Sequence, residues 1–181
     1  MHKRFNQCFL RKRRLTFIYA VILMKLFIRR NTSANNAAFD VFNEQSYNKY
    51  RVIQKDKKGY YGFEIVSIDG ESICKVRKIP IGSVSAYSIK AESRRVKLVC
   101  VPVSADIKCR FYGVNWHIAG DTVSKNFGIL DVDNSVIATH KILLSDYELN
   151  VFDKANELVS LAASICIDLI NTVDNRATQA V

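Results

Sequence analysis

Residues 154–171 read KANELVSLAASICIDLIN, and this stretch decides the fold. At about 100° per residue, its apolar side chains cover most of the circumference of a helix. Glu157, Ser160, Ser164 and Asp168 recur every three or four residues and form one narrow polar stripe. A helix that is apolar on nearly all sides must be surrounded, and this run is shorter than the roughly 20 residues of a membrane span. We therefore predict a helix over residues 154–171 at the centre of the protein, with Asp153 as its N-cap.

The chain before this helix is predicted to form short strands separated by turns. Asp69-Gly70 is the strongest hairpin signal, residues 107–112 alternate between apolar and polar side chains, and Pro102 predicts a sheet edge or a bulge. The predicted strands cover residues 25–30, 39–42, 47–54, 60–68, 72–79, 86–92, 95–104, 107–112, 114–119, 127–132, 136–143 and 147–152. The pattern indicates a mainly β protein, a closed antiparallel barrel of roughly twelve strands around the C-terminal helix. Closure removes the sheet edges, and the helix fills a lumen too wide for side chains alone.

The formal net charge of +10 is concentrated at the start of the chain. Nine of the 27 basic residues and none of the 17 acidic residues lie in residues 1–30, so the other 151 residues are nearly neutral. Residues 49–110 contain 14 basic and 6 acidic residues, whereas residues 111–181 contain 4 and 9. This uneven distribution predicts a positive face on the body of the protein.

Residues 1–23 are expected to lie outside the folded domain. Their basic residues and the apolar run that follows have three interpretations: read-through upstream of a true start at Met24, an amphipathic anchor at a membrane surface, or a secretory signal. The run is interrupted by Lys25, no small-residue cleavage site follows it, and it is too short to span a membrane. We divide the chain into this extension, a barrel over residues 24–171 and a tail over residues 172–181.

The cysteines predict free thiols. Their number is odd and no Cys-x-x-Cys motif occurs. The five are Cys8, Cys74, Cys100, Cys109 and Cys166. The last four lie in apolar segments, which favours buried thiols in a reducing compartment over a disulfide framework or a metal site. We therefore expect a cytoplasmic protein, either free or peripheral to the membrane.

The sequence contains no recognised catalytic motif. Gly-x-Ser-x-Gly, Walker-type and Gly-x-Gly-x-x-Gly sequences are absent. His2, His117 and His140 show no metal-ligand spacing, and residues 131–134 fit a hairpin turn better than a calcium loop. We expect a protein that is not an enzyme, with no catalytic residue, no cofactor and no metal site.

Several segments of the body form a familiar series. They are MKLFI (24–28), FDVF (39–42), FEIVSIDGE (63–71), VNWHIAG (114–120), VIAT (136–139), DYELNVFD (146–153) and the helix end IDLI (167–170). With these segments, residues 24–171 resemble the LURP-one-related family of Tubby C-terminal-like proteins, in particular its small bacterial members. The resemblance implies a twelve-stranded barrel around a C-terminal helix, a fold shared with Tubby domains and phospholipid scramblases. Residues 31–37 depart from the aromatic hairpin of the family, and residues 1–23 have no counterpart in it.

The basic residues in the middle of the chain are the candidate site. We predict an anionic-lipid face formed by Lys75, Arg77, Lys90, Lys97, Lys108 and Arg110, within a wider basic set that adds Lys78, Arg94 and Arg95. One functional hypothesis is a monomeric module that binds anionic phospholipids or a membrane surface. The alternative is a soluble structural or protein-interaction barrel with no lipid role. Nucleic-acid binding is disfavoured, because the strands lack aromatic residues interleaved with the basic ones.

Overall fold

The computed structural model describes residues 23–31, 37–57, 60–81, 84–103, 106–144 and 146–178. Most of the predicted N-terminal extension, part of the loop at residues 31–37 and the last three residues lie outside this part. Twelve strands precede a single helix. They are β1 (Met24–Arg30), β2 (Ala37–Asn43), β3 (Asn48–Lys57), β4 (Tyr60–Ser67), β5 (Ser72–Ile81), β6 (Val84–Ala91), β7 (Arg94–Val103), β8 (Asp106–Tyr112), β9 (Trp116–Asp121), β10 (Asn126–Asp131), β11 (Val136–Leu143) and β12 (Asp146–Val151).

The twelve strands close into one antiparallel barrel. Each strand pairs with its neighbours in sequence, and β1 pairs with β12 from Met24–Val151 to Arg29–Asp146. The predicted architecture is therefore confirmed. The predicted hairpin at Asp69-Gly70 is also confirmed, because Gly70 joins β4 to β5 with φ = 84°, a backbone conformation that glycine adopts without steric cost.

The helix is longer than the sequence predicts. A 3₁₀ turn (Lys154–Asn156) leads into α1 (Glu157–Thr178), so the predicted tail is helical as far as Thr178. Residues 172–178 contain neither proline nor glycine to end the helix at 171. Asp153 is the N-cap, as predicted, and its side chain accepts a hydrogen bond from the Ala155 N–H. No helix in the described part of the chain has the length and apolar character needed to cross a membrane.

The inner face of the barrel and α1 together form the core. Leu161, Ile165 and Ile167 are fully buried on the helix, which lies closest to β6. The rest of the core comes from the inward-pointing residues of the strands, such as Ile89 on β6 and Leu98 on β7. The helix occupies the lumen, so the barrel is a packed core.

The barrel wall is not uniformly paired. β8 and β9 share one registered pair, Arg110–His117. Among the described residues, the register of β6 with β7 ends at Ser85–Cys100, and the register of β7 with β8 continues to Val103–Asp106. Pro102 lies in the last part of β7, where it is registered with Ile107 of β8. Continuing the β6 register would place residue 83 opposite it, and residues 82–83 lie outside the described part, so the edge or bulge predicted at Pro102 stays a prediction.

The polar stripe of α1 is buried, and both of its carboxylates are paired. Asp168 is 3% exposed and accepts hydrogen bonds from Arg30 Nη2 at 2.7 Å and from Lys125 Nζ. Asp168 is therefore paired with two cations, Arg30 on β1 and Lys125 in the turn before β10. At the other end of the stripe, Glu157 Oε1 accepts from Lys49 Nζ at 2.5 Å and from the Tyr50 hydroxyl at 3.0 Å.

Lys125 links Asp168 to the wall of the barrel. Its ammonium also donates to the Tyr147 hydroxyl at 2.9 Å, and its carbonyl accepts from Nδ1 of His140 at 2.8 Å. Burial acts to lower the pKa of Lys125, but the hydrogen bonds to Asp168 and Tyr147 outweigh it and raise the pKa above its ordinary value. Burial lowers the pKa of His140, which is stacked between Phe127 and Tyr147.

Replacing Leu161 or Ile165 by aspartate is expected to abolish soluble folding. An unpaired buried carboxylate costs several kcal/mol, against a total stability of about 5–15 kcal/mol. The matched control is Ile68→Asp in the β4–β5 turn, where the side chain is 74% exposed. Soluble yield and circular dichroism measure the effect. A folded, monomeric Leu161→Asp variant at normal yield would contradict the buried position of the helix.

Asp168→Asn is expected to destabilise the protein by about 2 kcal/mol, because the half-buried cations Arg30 and Lys125 lose their shared counter-charge. This corresponds to a fall in Tm of roughly 4–8 °C at neutral pH. Asp146→Asn is the control, because Asp146 pairs with Arg29 on the outside of the barrel, where Arg29 is 61% exposed. A Tm equal to or above that of the unmodified protein would exclude a stabilising role for the pairing.

Candidate anion-binding surface

The predicted cationic residues all lie on the outside of four neighbouring strands. Successive side chains of a strand point to opposite faces, and the inward positions of β5–β8 are taken by core residues such as Val76, Ile89 and Phe111. The basic residues between them point outward and are exposed. We define the cationic face as Lys75 and Arg77 on β5, Lys90 on β6, Arg95 and Lys97 on β7, and Lys108 and Arg110 on β8.

Strand register places three cations of this face directly opposite one another. Lys75 pairs with Lys90, and Lys90 pairs with Arg95. Neighbouring strands lie about 4.8 Å apart, so three positive charges follow each other across roughly 10 Å of wall. Like charges in opposed positions destabilise a sheet, so this row is electrostatically unfavourable for the isolated protein.

The other cations continue the face towards the opposite end of the strands. Arg77 and Lys97 are both opposite Ser88, and Tyr112 lies opposite Lys97 on β8 with half of its side chain exposed. Arg110 and Lys108 are opposite Val99 and Val101. Tyr112 is a further outward residue beside the cationic face, and its alternation with Arg110 along β8 is the sequence signal that marks it.

Few carboxylates accompany these cations. Glu64 on β4 borders the face, 4.0 Å from Lys75 and 3.7 Å from Lys55. Asp106 lies 2.5 Å from Lys108, and its pKa is lowered by hydrogen bonds from Lys108 and from the Ile107 N–H. At the outward positions of the described strands β5–β8, Asp106 is the single acidic residue among seven cations.

The structure separates the wider basic set into members and non-members of the face. Arg95 belongs to it. Lys78 does not, because it pairs with the buried Tyr87 and so lies on the inner side of the wall at the barrel mouth. Arg94 also lies outside the face, because its guanidinium donates to Asn156 Oδ1 at 2.7 Å, beside the start of α1. The alternation of strand residues is the signal that distinguishes Arg94 from Arg95.

Three further features of the described residues bear on binding. A cleft beside the start of α1, lined by Ala91, Arg94 and Leu158 among others, holds about 20 Å³, enough for roughly one water molecule. In the described part of the chain, no three His, Cys, Asp or Glu side chains lie close enough together to hold a metal ion. His117 lies partly buried on β9, and His140 is enclosed by aromatic rings.

Comparison with known proteins identifies the fold. No family model matches the sequence, and no curated protein matches it. The structure is similar to the X-ray structure of a protein from Arabidopsis thaliana, a LURP-one-related protein, with a TM-score of 0.55 and 9% sequence identity. The match covers 86% of this chain and 93% of the plant chain. At this identity the similarity shows a barrel fold of the LURP and Tubby type and nothing about the ligand.

Lys90→Glu is expected to raise Tm at low ionic strength, because it replaces the central charge of the row formed with Lys75 and Arg95 by an attractive one. Opposed charge pairs contribute roughly 0.2–1 kcal/mol, which predicts a rise of about 1–4 °C. The matched control is Lys97→Glu, because Lys97 lies opposite the uncharged Ser88 and Tyr112. The difference between the two variants should shrink in high salt. A lower Tm for Lys90→Glu at low salt would contradict repulsion in the row.

Proposed function

We propose that the cationic face binds the surface of membranes that contain anionic phospholipids, and that the barrel is a binding module without catalytic activity. The row of Lys75, Lys90 and Arg95 is the observation that carries this proposal. Three like charges in register weaken the sheet, and a negatively charged partner would convert their repulsion into attraction. We therefore expect the row of cations to be more stable against an anionic surface than in water alone.

The shape of the face supports an extended partner over a single small anion. Its seven cations are spread across four antiparallel strands, roughly 15 Å of wall, and do not converge on one point. Each Lys or Arg near an anionic bilayer contributes about 1 kcal/mol at physiological ionic strength. Seven such residues, offset in part by Glu64 and Asp106, would give a reversible association that weakens with salt.

The barrel fold also supports the assignment of this chain to a protein family. We infer that the chain is a small bacterial-type member of the LURP-one-related family that acts as a monomer in the cytoplasm, at or near the membrane surface. Two findings support this assignment: the twelve strands in sequence order around a C-terminal helix in this chain, and its similarity in fold to the plant protein. A soluble structural or protein-interaction barrel is the alternative, and it predicts binding that does not depend on salt or on lipid charge.

The test compares a charge-reversed face with a charge-reversed control. Lys108→Glu with Arg110→Glu is expected to weaken binding to phosphatidylserine-containing vesicles by about 30-fold or more, since two cations contribute roughly 2 kcal/mol. The chain should begin at Met24, which removes the six basic residues of positions 1–23. Co-sedimentation with phosphatidylcholine vesicles, with and without phosphatidylserine, measures the binding across a salt series.

The control is Lys141→Glu with Lys154→Glu, which changes the net charge by the same amount at exposed sites outside the face. It should retain most of the binding. Equal losses in the two double variants would indicate a non-specific effect of net charge. The membrane proposal is wrong if the chain from Met24 does not bind anionic vesicles even at low salt. It is also wrong if that chain binds an oligonucleotide or a protein partner with an affinity that does not depend on salt.

A further inference from the structure

Cys100 and Cys109 face each other across β7 and β8 on the inner side of the barrel wall. They are registered partners, and their Sγ atoms lie 2.7 Å apart. Both are free thiols in this structure. A disulfide bond is about 2.05 Å long, so the two sulfur atoms would need to approach by only a further ~0.6 Å to be joined.

The backbone geometry around Cys100 and Cys109 is compatible with a disulfide bond. Every residue from the Lys97–Tyr112 pair to the Val103–Asp106 pair is in register, with no bulge between β7 and β8. Directly opposed residues of antiparallel strands have Cβ atoms about 4.5–5.5 Å apart, and disulfides have Cβ atoms about 3.5–4.5 Å apart. A small approach of the two strands is therefore enough to connect them.

We propose that Cys100 and Cys109 form an oxidation site, at which hydrogen peroxide converts the dithiol into an intrachain disulfide between β7 and β8. The proposal does not depend on the membrane function proposed above.

The two thiols have different access to an oxidant. Cys109 is partly exposed and lies on β8 beside the seam where β9 is paired only through His117. Cys100 is fully buried. Contact with Cys109 and burial raise the pKa of Cys100, which keeps it protonated. Cys109 is therefore the thiol that peroxide oxidises first, and Cys100 is the thiol that then forms the disulfide with it.

The chemistry balances with peroxide as the single oxidant. The Cys109 thiolate attacks one oxygen of hydrogen peroxide, the O–O bond breaks, and the products are a Cys109 sulfenic acid and hydroxide, which takes the Cys109 proton. Cys100 Sγ then attacks the Cys109 sulfur, and the hydroxyl group leaves with the Cys100 proton as water. Two thiols lose two electrons and two protons, and peroxide is reduced to two water molecules.

Cys74 and Cys166 provide an internal comparison. Cys74 is registered with Ile65 and Ala91, so no cysteine lies opposite it, and Cys166 lies on α1. Burial raises the pKa of Cys74 to about 12, and it also raises the pKa of Cys166 well above its ordinary value. Buried thiols of this kind react slowly with peroxide.

The experiment uses the full chain with Cys8→Ser, which leaves four thiols. After treatment with hydrogen peroxide and alkylation under denaturing conditions, we expect the thiol count to fall from four to two. Trypsin cuts after Lys97, Lys108 and Arg110, so the two cysteines leave on separate peptides, residues 98–108 and residues 109–110. Mass spectrometry should find these two peptides joined before reduction and separate after it.

Two variants identify the order of events. Cys109→Ser should lose no thiol under the same conditions, and Cys100→Ala should accumulate a sulfenic acid at position 109 that dimedone traps. The proposal is overturned if the joined peptide is absent, if Cys74 or Cys166 appears in disulfides as often, or if Cys109→Ser loses thiols as fast as its parent. Peptide mapping of the parent chain decides the question even where a variant fails to fold.

Discussion

The pairing of two buried carboxylates on α1 with cations of the barrel wall is the interaction on which the structure depends. Hydrophobic burial is not directional, so the apolar surface of α1 alone would permit several depths and rotations in the lumen. Glu157 and Asp168 are eleven residues apart, about 16 Å along the helix axis. Lys49 and Tyr50 hold the first, and Arg30 and Lys125 hold the second. An arrangement that left either carboxylate unpaired would cost several kcal/mol, which selects one position of the helix.

Each strand places its core residues on the inner side of the barrel and its surface residues on the outer side. Along β8, Ile107, Cys109 and Phe111 point into the barrel, while Lys108 and Arg110 point out of it. Because this alternation has a period of two residues, the outward positions are free of the packing requirements that act on the core. The cationic face can therefore keep an unfavourable row of charges, since the packed helix stabilises the same strands from inside.

The sequence predicts the parts of this structure that depend on local pattern. The apolar run of residues 154–171, the turn at Asp69-Gly70 and the alternation of residues 107–112 each follow from neighbouring residues, and together they lead to the barrel. The polar stripe follows from the same local pattern, whereas the cations that pair with Asp168 come from distant segments of the chain. Strand register is different, because the opposition of Lys75, Lys90 and Arg95 depends on how far each hairpin extends. The closeness of Cys100 and Cys109 has the same origin, and it cannot be obtained from the spacing of the two residues alone.

The position of α1 after all twelve strands has a consequence for biosynthesis. The strands leave the ribosome before the helix that fills them, and at about 5–20 residues per second the wait from β1 to α1 lasts on the order of ten seconds. During this time inward-pointing apolar residues such as Val76, Ile89 and Leu98 have no helix to pack against. A nascent chain at this stage exposes apolar surface and is prone to aggregate until α1 has been made. A chain that stops before α1 keeps its apolar interior open to solvent, which makes it more susceptible to proteolysis than the packed barrel.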